Sequence, residues 1–219
     1  MQLLIDIIPF LLSLVIQLAC RALNLHFFPT FLNIGILTLL FLPEESISLS
    51  NHKRVSLPLI TSIVTCAYSL QIIISNLLST IFTYFPYLLT YYRGNISSEK
   101  YGLVMNVLNL CFLSPLYEEL LFREIIMRRL NCHYHTMCVI LFQAFLFSIF
   151  HVNPIQIVYT FFIGLILGLI KECTSSTNYC VLFHVIFNTS SLVVTSNFHF
   201  YAFPLFIVSA FLFWKYKDS

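Results

Sequence analysis

The sequence predicts an all-α, polytopic membrane protein of about eight transmembrane helices. The prediction rests on composition, hydropathy and pattern. Hydrophobic residues make up 59% of the 219-residue chain and charged residues only 9%, where a soluble domain carries about a quarter charged residues. Mean hydropathy is +0.89. The apolar residues run continuously instead of alternating, which sets aside a β-barrel. About 20 residues cross a bilayer as a helix, so the chain has room for roughly eight spans with short connections. The same composition excludes a disordered chain, a collagen-like chain and an ordinary soluble domain. Net charge is +2 and the basic residues are scattered, so the expected surroundings are the lipid bilayer and no nucleic acid is expected as a partner.

The first apolar run covers 3–20 and ends at Arg21. It lacks a basic leading segment and Asp6 interrupts it, so a cleaved signal peptide is not expected. Asp6 lies near the helix start, within reach of the membrane interface. The second run covers 25–42, and a polar stretch follows at 43–54. The third covers 57–80 and leads into an aromatic segment; 91–101 reads as a loop because Arg93-Gly94-Asn95 is a turn signal. The fourth, 102–129, passes through Pro115 and Glu118, and the fifth, 134–152, is closed by Asn153-Pro154. The sixth covers 155–170, the seventh 179–195 and the eighth 200–214. No repeat or composition shift divides the chain, so 1–219 reads as a single multi-pass domain.

Lysine and arginine set the orientation. With eight spans, the inner side receives Lys53, Arg54, Arg123, Arg128, Arg129, Lys171, Lys215 and Lys217, and the outer side Arg21, Arg93 and Lys100. The excess places both termini in the cytoplasm.

The seven cysteines include no CxxC and lie mostly in apolar runs, as small buried hydrophobes and not as a disulfide framework. Cys132, His133, His135 and Cys138 form one local cluster. Its spacing is tighter than a usual structural zinc site, and interfacial polar residues are the preferred account. No metal or other cofactor is expected.

Ionisable groups inside apolar spans tend to face a polar interior, because a charge at the bilayer centre costs about 2.5–3.5 kcal/mol on insertion scales. Glu119 and Arg123 are four residues apart, on one helical face and in a good order for an ion pair. Glu124 and Arg128 repeat the spacing. Glu118 points about 140° away from Arg123 and has no cation on its own helix. It is either a general base or the partner of another helix. His184 and Asn188 share a face of the seventh run, as an oxyanion site or as interhelical hydrogen-bond glue. Phe147 and His151 share a face of the fifth. Gly164 and Gly168 form a GxxxG, read as close helix packing. No GxSxG, HExxH or P-loop motif is present.

Together these clusters resemble a known pattern. The stretch Ser114-Pro115-Leu116-Tyr117-Glu118-Glu119-Leu120-Leu121-Phe122-Arg123 is similar to the EExxxR motif of the CAAX protease and bacteriocin-processing (CPBP, or Abi) family. Phe147 to His151 resembles its FxxxH motif and His184 to Asn188 its HxxxN motif. Gly164 and Gly168 sit where that family often has paired glycines. The resemblance covers 102–190, which would be the catalytic core.

The resemblance implies an intramembrane, metal-independent glutamic endopeptidase. Glu118 and His151 would activate a water, His184 and Asn188 would stabilise the oxyanion, and Glu119, Arg123 and Phe147 would support the site. The substrate would be a peptide or protein, either prenylated or bacteriocin-like, and the membrane the cell membrane in a prokaryote or the endoplasmic reticulum in a eukaryote. The alternative is a non-catalytic scaffold or bacteriocin self-immunity factor that acts by binding a partner. A small transporter is disfavoured, since paired broken helices are missing. The chain departs from the family at Glu124, where glycine is common, and at 171–179, where Thr174-Ser175-Ser176-Thr177 replaces the usual Thr-Gly turn. Counted from a turn at Asn131, Glu118 lies about 20 Å up the fourth helix and His151 about 30 Å up the fifth. A tilt, a kink at Pro115 or a protruding fourth helix is required to bring them level.

Overall fold

The structure is a computed structural model that describes residues 2–22, 33, 35–36, 56–96, 103–151, 153–194 and 200–218. Every regular element among them is helical. Helices α1 (Gln2–Asp6) and α2 (Ile8–Ala22) come from the first apolar run. They are followed by α3 (Leu57–Tyr84) and α4 (Pro86–Ile96). Helix α5 is a continuous helix over 103–131. Then come α6 (Thr136–Phe150), α7 (Pro154–Thr174), α8 (Thr177–Val193) and α9 (Ala202–Tyr216). The second run and the polar stretch after it lie outside the described residues, apart from positions 33, 35 and 36.

Two expectations are corrected. Residues 91–96 are not a loop but the end of α4. Pro86 opens that helix, where its missing N–H costs nothing, and the Tyr92 hydroxyl meets that of Tyr159 on α7 at 3.3 Å. A glycine near a helix end costs only about 1 kcal/mol, less than such packing returns. Asp6 does not reach out to an interface. It is buried against the lower end of α5, with Gln2 Nε2 donating to its Oδ1 at 3.1 Å.

Helix α5 is the centre of the bundle. It packs against α2, α6 and α8, while α8 also touches α3 and α7. Helices α6 and α7 form an extensive antiparallel pair, and α9 lies along α3. Asn153 caps α7, its Oδ1 accepting from the Ile155 and Gln156 amides at 3.0 and 3.4 Å, with Pro154 in the first turn. Such a cap satisfies amides that the helix itself leaves unpaired.

The bundle buries a few charged and polar side chains within an apolar core and exposes large apolar ones. Glu119, Arg123 and Gln143 are fully buried, whereas Val104, Val158, Ile207 and Phe211 are each at least 65% exposed. Exposed apolar surface on this scale marks contact with lipid or partner. Helices α3 and α7 are long and apolar enough to cross a bilayer, and shorter apolar helices accompany them. This architecture fits a membrane protein.

The long helix α5 is irregular. Two π-helical stretches, Asn109–Leu113 and Leu120–Ile126, flank the α-helical turn Ser114–Glu119. Pro115 has no N–H to continue an α-helical ladder, and π-bulges recur at functional sites. The two glutamates therefore sit on a short regular turn between two wider, underwound segments.

Candidate active site

The paired glutamates diverge as their spacing requires. Glu119 Oε2 lies 3.1 Å from Arg123 Nε, with both side chains fully buried. The Arg123 guanidinium stands over the Phe147 ring at 4.7 Å and near the Phe122 ring at 5.9 Å. Its charge is thus met by one carboxylate and two aromatic faces, in surroundings where a desolvated cation–π contact contributes about 2 kcal/mol.

Glu118 turns the other way, toward α6 and α8. Its Oε2 lies 3.9 Å from Nε2 of His151 and 3.9 Å from Nε2 of His184. No hydrogen bond within the protein reaches that oxygen among the described residues. The expected depth mismatch is resolved without a protruding helix. Residues 132–135 form a turn, so α6 begins at Thr136 and His151 caps its far end. Glu118 and His151 are then each about 20 Å from the connecting turn.

Both imidazoles are oriented from behind. His151 Nδ1 donates to the Phe147 carbonyl at 2.9 Å, and that carbonyl can only accept. His184 Nδ1 donates to Glu119 Oε1 at 2.8 Å. The Nδ1 positions thus carry protons, and Nε2 of each ring faces Glu118. Phe147 fills the space between them, with its ring centroid 5.0 Å from that of His151 and 5.9 Å from that of His184. Sequence spacing paired Glu119 with Arg123 alone; its second role, holding His184 on another helix, left no local signal.

Asn188 does not join His184 at Glu118. Its Nδ2 donates to the Leu110 carbonyl at 2.9 Å, on the upper π-helical stretch of α5. The structure therefore brings Glu118, His151, His184, Glu119, Arg123 and Phe147 together, and holds Asn188 one turn beyond His184 against the backbone.

Gln143 is a further polar residue that the sequence reading did not single out. It is fully buried on α6, and its Nε2 donates to the Gly164 carbonyl at 2.8 Å and the Ile140 carbonyl at 3.0 Å. A Cβ at Gly168 would stand 2.5 Å from that nitrogen, and a Cβ at Gly164 3.0 Å from the Ala144 backbone. The GxxxG is a packing groove for Gln143 and Ala144, as expected for close helix approach.

The cluster near residue 135 serves local structure. His135 Nδ1 accepts from the Met137 amide at 3.3 Å to cap α6, and Cys132 Sγ donates to the Arg128 carbonyl at 3.4 Å. Among the described residues, no group of three or more metal-ligating side chains is found.

At 171–179 the missing Thr-Gly turn is replaced by Ser175 in the left-handed region, φ 54°, at the end of α7. A glycine would take that conformation at no steric cost. Here Thr174 Oγ1 accepts from the Ser176 amide at 3.3 Å and Ser175 N donates to the Lys171 carbonyl at 2.8 Å, which hold the turn in place.

An α-helical bundle, apolar outside and carrying a carboxylate–imidazole cluster within, is the class that these features define. Residues 100–190 match the family model described as Type II CAAX prenyl endopeptidase Rce1-like, in keeping with the motif resemblance to the CPBP family. The matched stretch carries all three motifs and all six clustered residues. The family is one of proteases that act on peptide or protein substrates at membranes. Comparison with curated proteins and with solved structures gave no match.

Proposed function

We propose that the protein is an intramembrane endopeptidase in which Glu118 activates a water for attack on a peptide carbonyl. The observation that carries this reading is the position of Glu118 Oε2, equidistant at 3.9 Å from the two histidine Nε2 atoms. A water held there donates one hydrogen to Glu118 and the other to the His151 lone pair, which leaves its own lone pair for the carbonyl carbon. Glu118 takes the proton as the C–O bond forms. The tetrahedral oxyanion receives a hydrogen bond from Asn188. A second comes from His184 Nε2 with the ring in its imidazolium form, which takes its extra proton from solvent before the reaction and keeps it throughout, its charge balanced by Glu119. Glu118 then passes its proton to the leaving nitrogen as the C–N bond breaks, giving one new carboxyl and one new amino terminus.

The chain would cross the membrane about eight times with both termini in the cytoplasm. The family description points to a prenylated peptide as substrate, with a bacteriocin-like peptide as the alternative. Helices α3 and α7 and the apolar exterior support the membrane setting.

The competing reading is a metallopeptidase with His151 and His184 as ligands, which rests on residue types alone, since water-activating zinc sites commonly use two histidines and a carboxylate. One experiment separates the readings. Purified protein in detergent is treated with a stringent chelator and assayed on membrane peptides, with Glu118→Gln as the control. Retained cleavage by the wild type and none by the variant supports the glutamate mechanism. Cleavage lost to the chelator and restored by stoichiometric zinc overturns it.

A further inference from the structure

Leu110 lies in a π-helical stretch, where each carbonyl accepts from the amide five residues on; the Ser114 amide, for instance, donates to the Asn109 carbonyl. For Leu110 the corresponding residue is Pro115, which has no N–H. The α-helical alternative is also closed, because the Ser114 amide is spent on Asn109. Leu110 is 46% exposed on the apolar outside of the bundle, and a backbone carbonyl facing lipid must find another donor. The donor is Asn188 Nδ2, at 2.9 Å, from α8.

We infer that Pro115 positions Asn188: by stripping the Leu110 carbonyl of its helical donor, it creates the acceptor that fixes the Asn188 amide. The consequences follow from amide geometry. Nδ2 carries two hydrogens. With one held by Leu110, the plane and the flip state of the amide are set, and the second hydrogen points in a fixed direction. Asn188 lies one turn from His184, whose Nε2 faces Glu118. On the peptidase reading, this second hydrogen is the one left to meet charge that develops in the substrate. Preorganised donors of this kind need no reorientation during reaction. In this arrangement Leu110 and Pro115 are positioning residues and touch no substrate. The functional half of the inference rests on the peptidase reading; the structural half does not.

The test joins a spectroscopic readout to a kinetic one. In protein labelled with ¹⁵N-asparagine and held in detergent, the Asn188 side-chain amide is assigned by its loss in Asn188→Asp, and its hydrogen exchange is followed. Wild type should show slow exchange at this amide. Pro115→Ala supplies a competing N–H to Leu110 and should speed exchange at least tenfold. In peptide cleavage, Asn188→Ala should lower kcat by about a hundredfold in the wild-type background and by a much smaller factor in Pro115→Ala, with KM little changed. Fast exchange in the wild type overturns the inference even if Pro115→Ala fails to fold. Equal exchange in the two proteins, or kinetic losses that simply multiply, overturns it as well. If exchange responds as stated while no protein cleaves any membrane peptide, the positioning by Pro115 stands and the peptidase reading falls.

Discussion

Thr177 Oγ1 donates a 2.7 Å hydrogen bond to Glu124 Oε2, joining the two places where this chain leaves the family pattern. Lys171 completes the junction, its Nζ reaching Glu124 Oε2 at 3.0 Å and Thr177 Oγ1 at 2.8 Å, while Arg128 approaches Glu124 Oε1 at 3.4 Å. Where a glycine would let α5 and the α7–α8 turn pack closely, a carboxylate spans the gap and is satisfied by that turn. The departures are thus one compensated feature. Thr177 stands two turns before His184 on α8, so the junction also fixes the register of that helix.

Thr177→Val should therefore cost about 1.5–3 kcal/mol of stability, as expected for a hydrogen bond to a charged group. Glu124→Gly should cost a similar amount. The double variant should cost no more than the larger single loss, within about 0.5 kcal/mol. Thermal unfolding in detergent around this cycle checks it. Additive losses would show that Glu124 and Thr177 act separately.

A second junction is predicted to be sensitive to a single methyl group. Gly168→Ala places a Cβ 2.5 Å from Gln143 Nε2, whose hydrogen bonds to Gly164 and Ile140 prevent it from moving aside. The expected loss is about 1–3 kcal/mol. Adding Gln143→Ala removes the obstacle and should recover part of that loss relative to Gln143→Ala alone. Recovery is read from melting temperatures of the four proteins, and its absence would move the cause of the clash elsewhere.

How far the sequence carried the fold depends on the range of each signal. The runs at 57–80, 155–170 and 179–195 became α3, α7 and α8 with ends displaced by only a few residues, because continuous apolar stretches bounded by polar or proline-containing segments are local signals. The i,i+4 pairs Glu119–Arg123 and Glu124–Arg128 are present for the same reason. What local spacing could not show was set by partners far along the chain. His184 reaches Glu119 across 65 residues, Asn188 reaches Leu110 across 78 and Thr177 reaches Glu124 across 53. The π-helical stretches were hidden too, although Pro115 marked the position where an α-helical ladder has to fail. The turn signal at Arg93-Gly94-Asn95 misled because α4 continues through it.

The proposed topology makes a prediction independent of chemistry. Single cysteines introduced at positions 95 and 217, in a background with exposed Cys132 and Cys138 replaced, should label from opposite sides of intact vesicles. Position 217 should report the cytoplasmic face, because basic residues favour that side. Labelling of both positions from the same side would require an odd change in the number of spans between them.

The two adjacent glutamates should respond differently to the same amide substitution. Glu118→Gln keeps the size of the side chain but cannot take a proton, so turnover should be lost while the melting temperature stays close to that of the wild type. Among the described residues Glu118 Oε2 makes no hydrogen bond, so little packing is disturbed. Glu119→Gln removes the charge that both Arg123 and His184 face at 3.1 and 2.8 Å. Taking away one partner of a buried ion pair costs about 3–5 kcal/mol, so this variant should unfold at a clearly lower temperature. The amide oxygen still accepts from His184 Nδ1 but no longer balances a protonated ring, so cleavage should be reduced without being abolished. Detergent thermal stability measured beside cleavage of a membrane peptide distinguishes the two. Near-normal cleavage by Glu118→Gln would remove Glu118 as the base, and an unchanged melting temperature in Glu119→Gln would show that Arg123 draws its stability from the Phe147 and Phe122 rings instead.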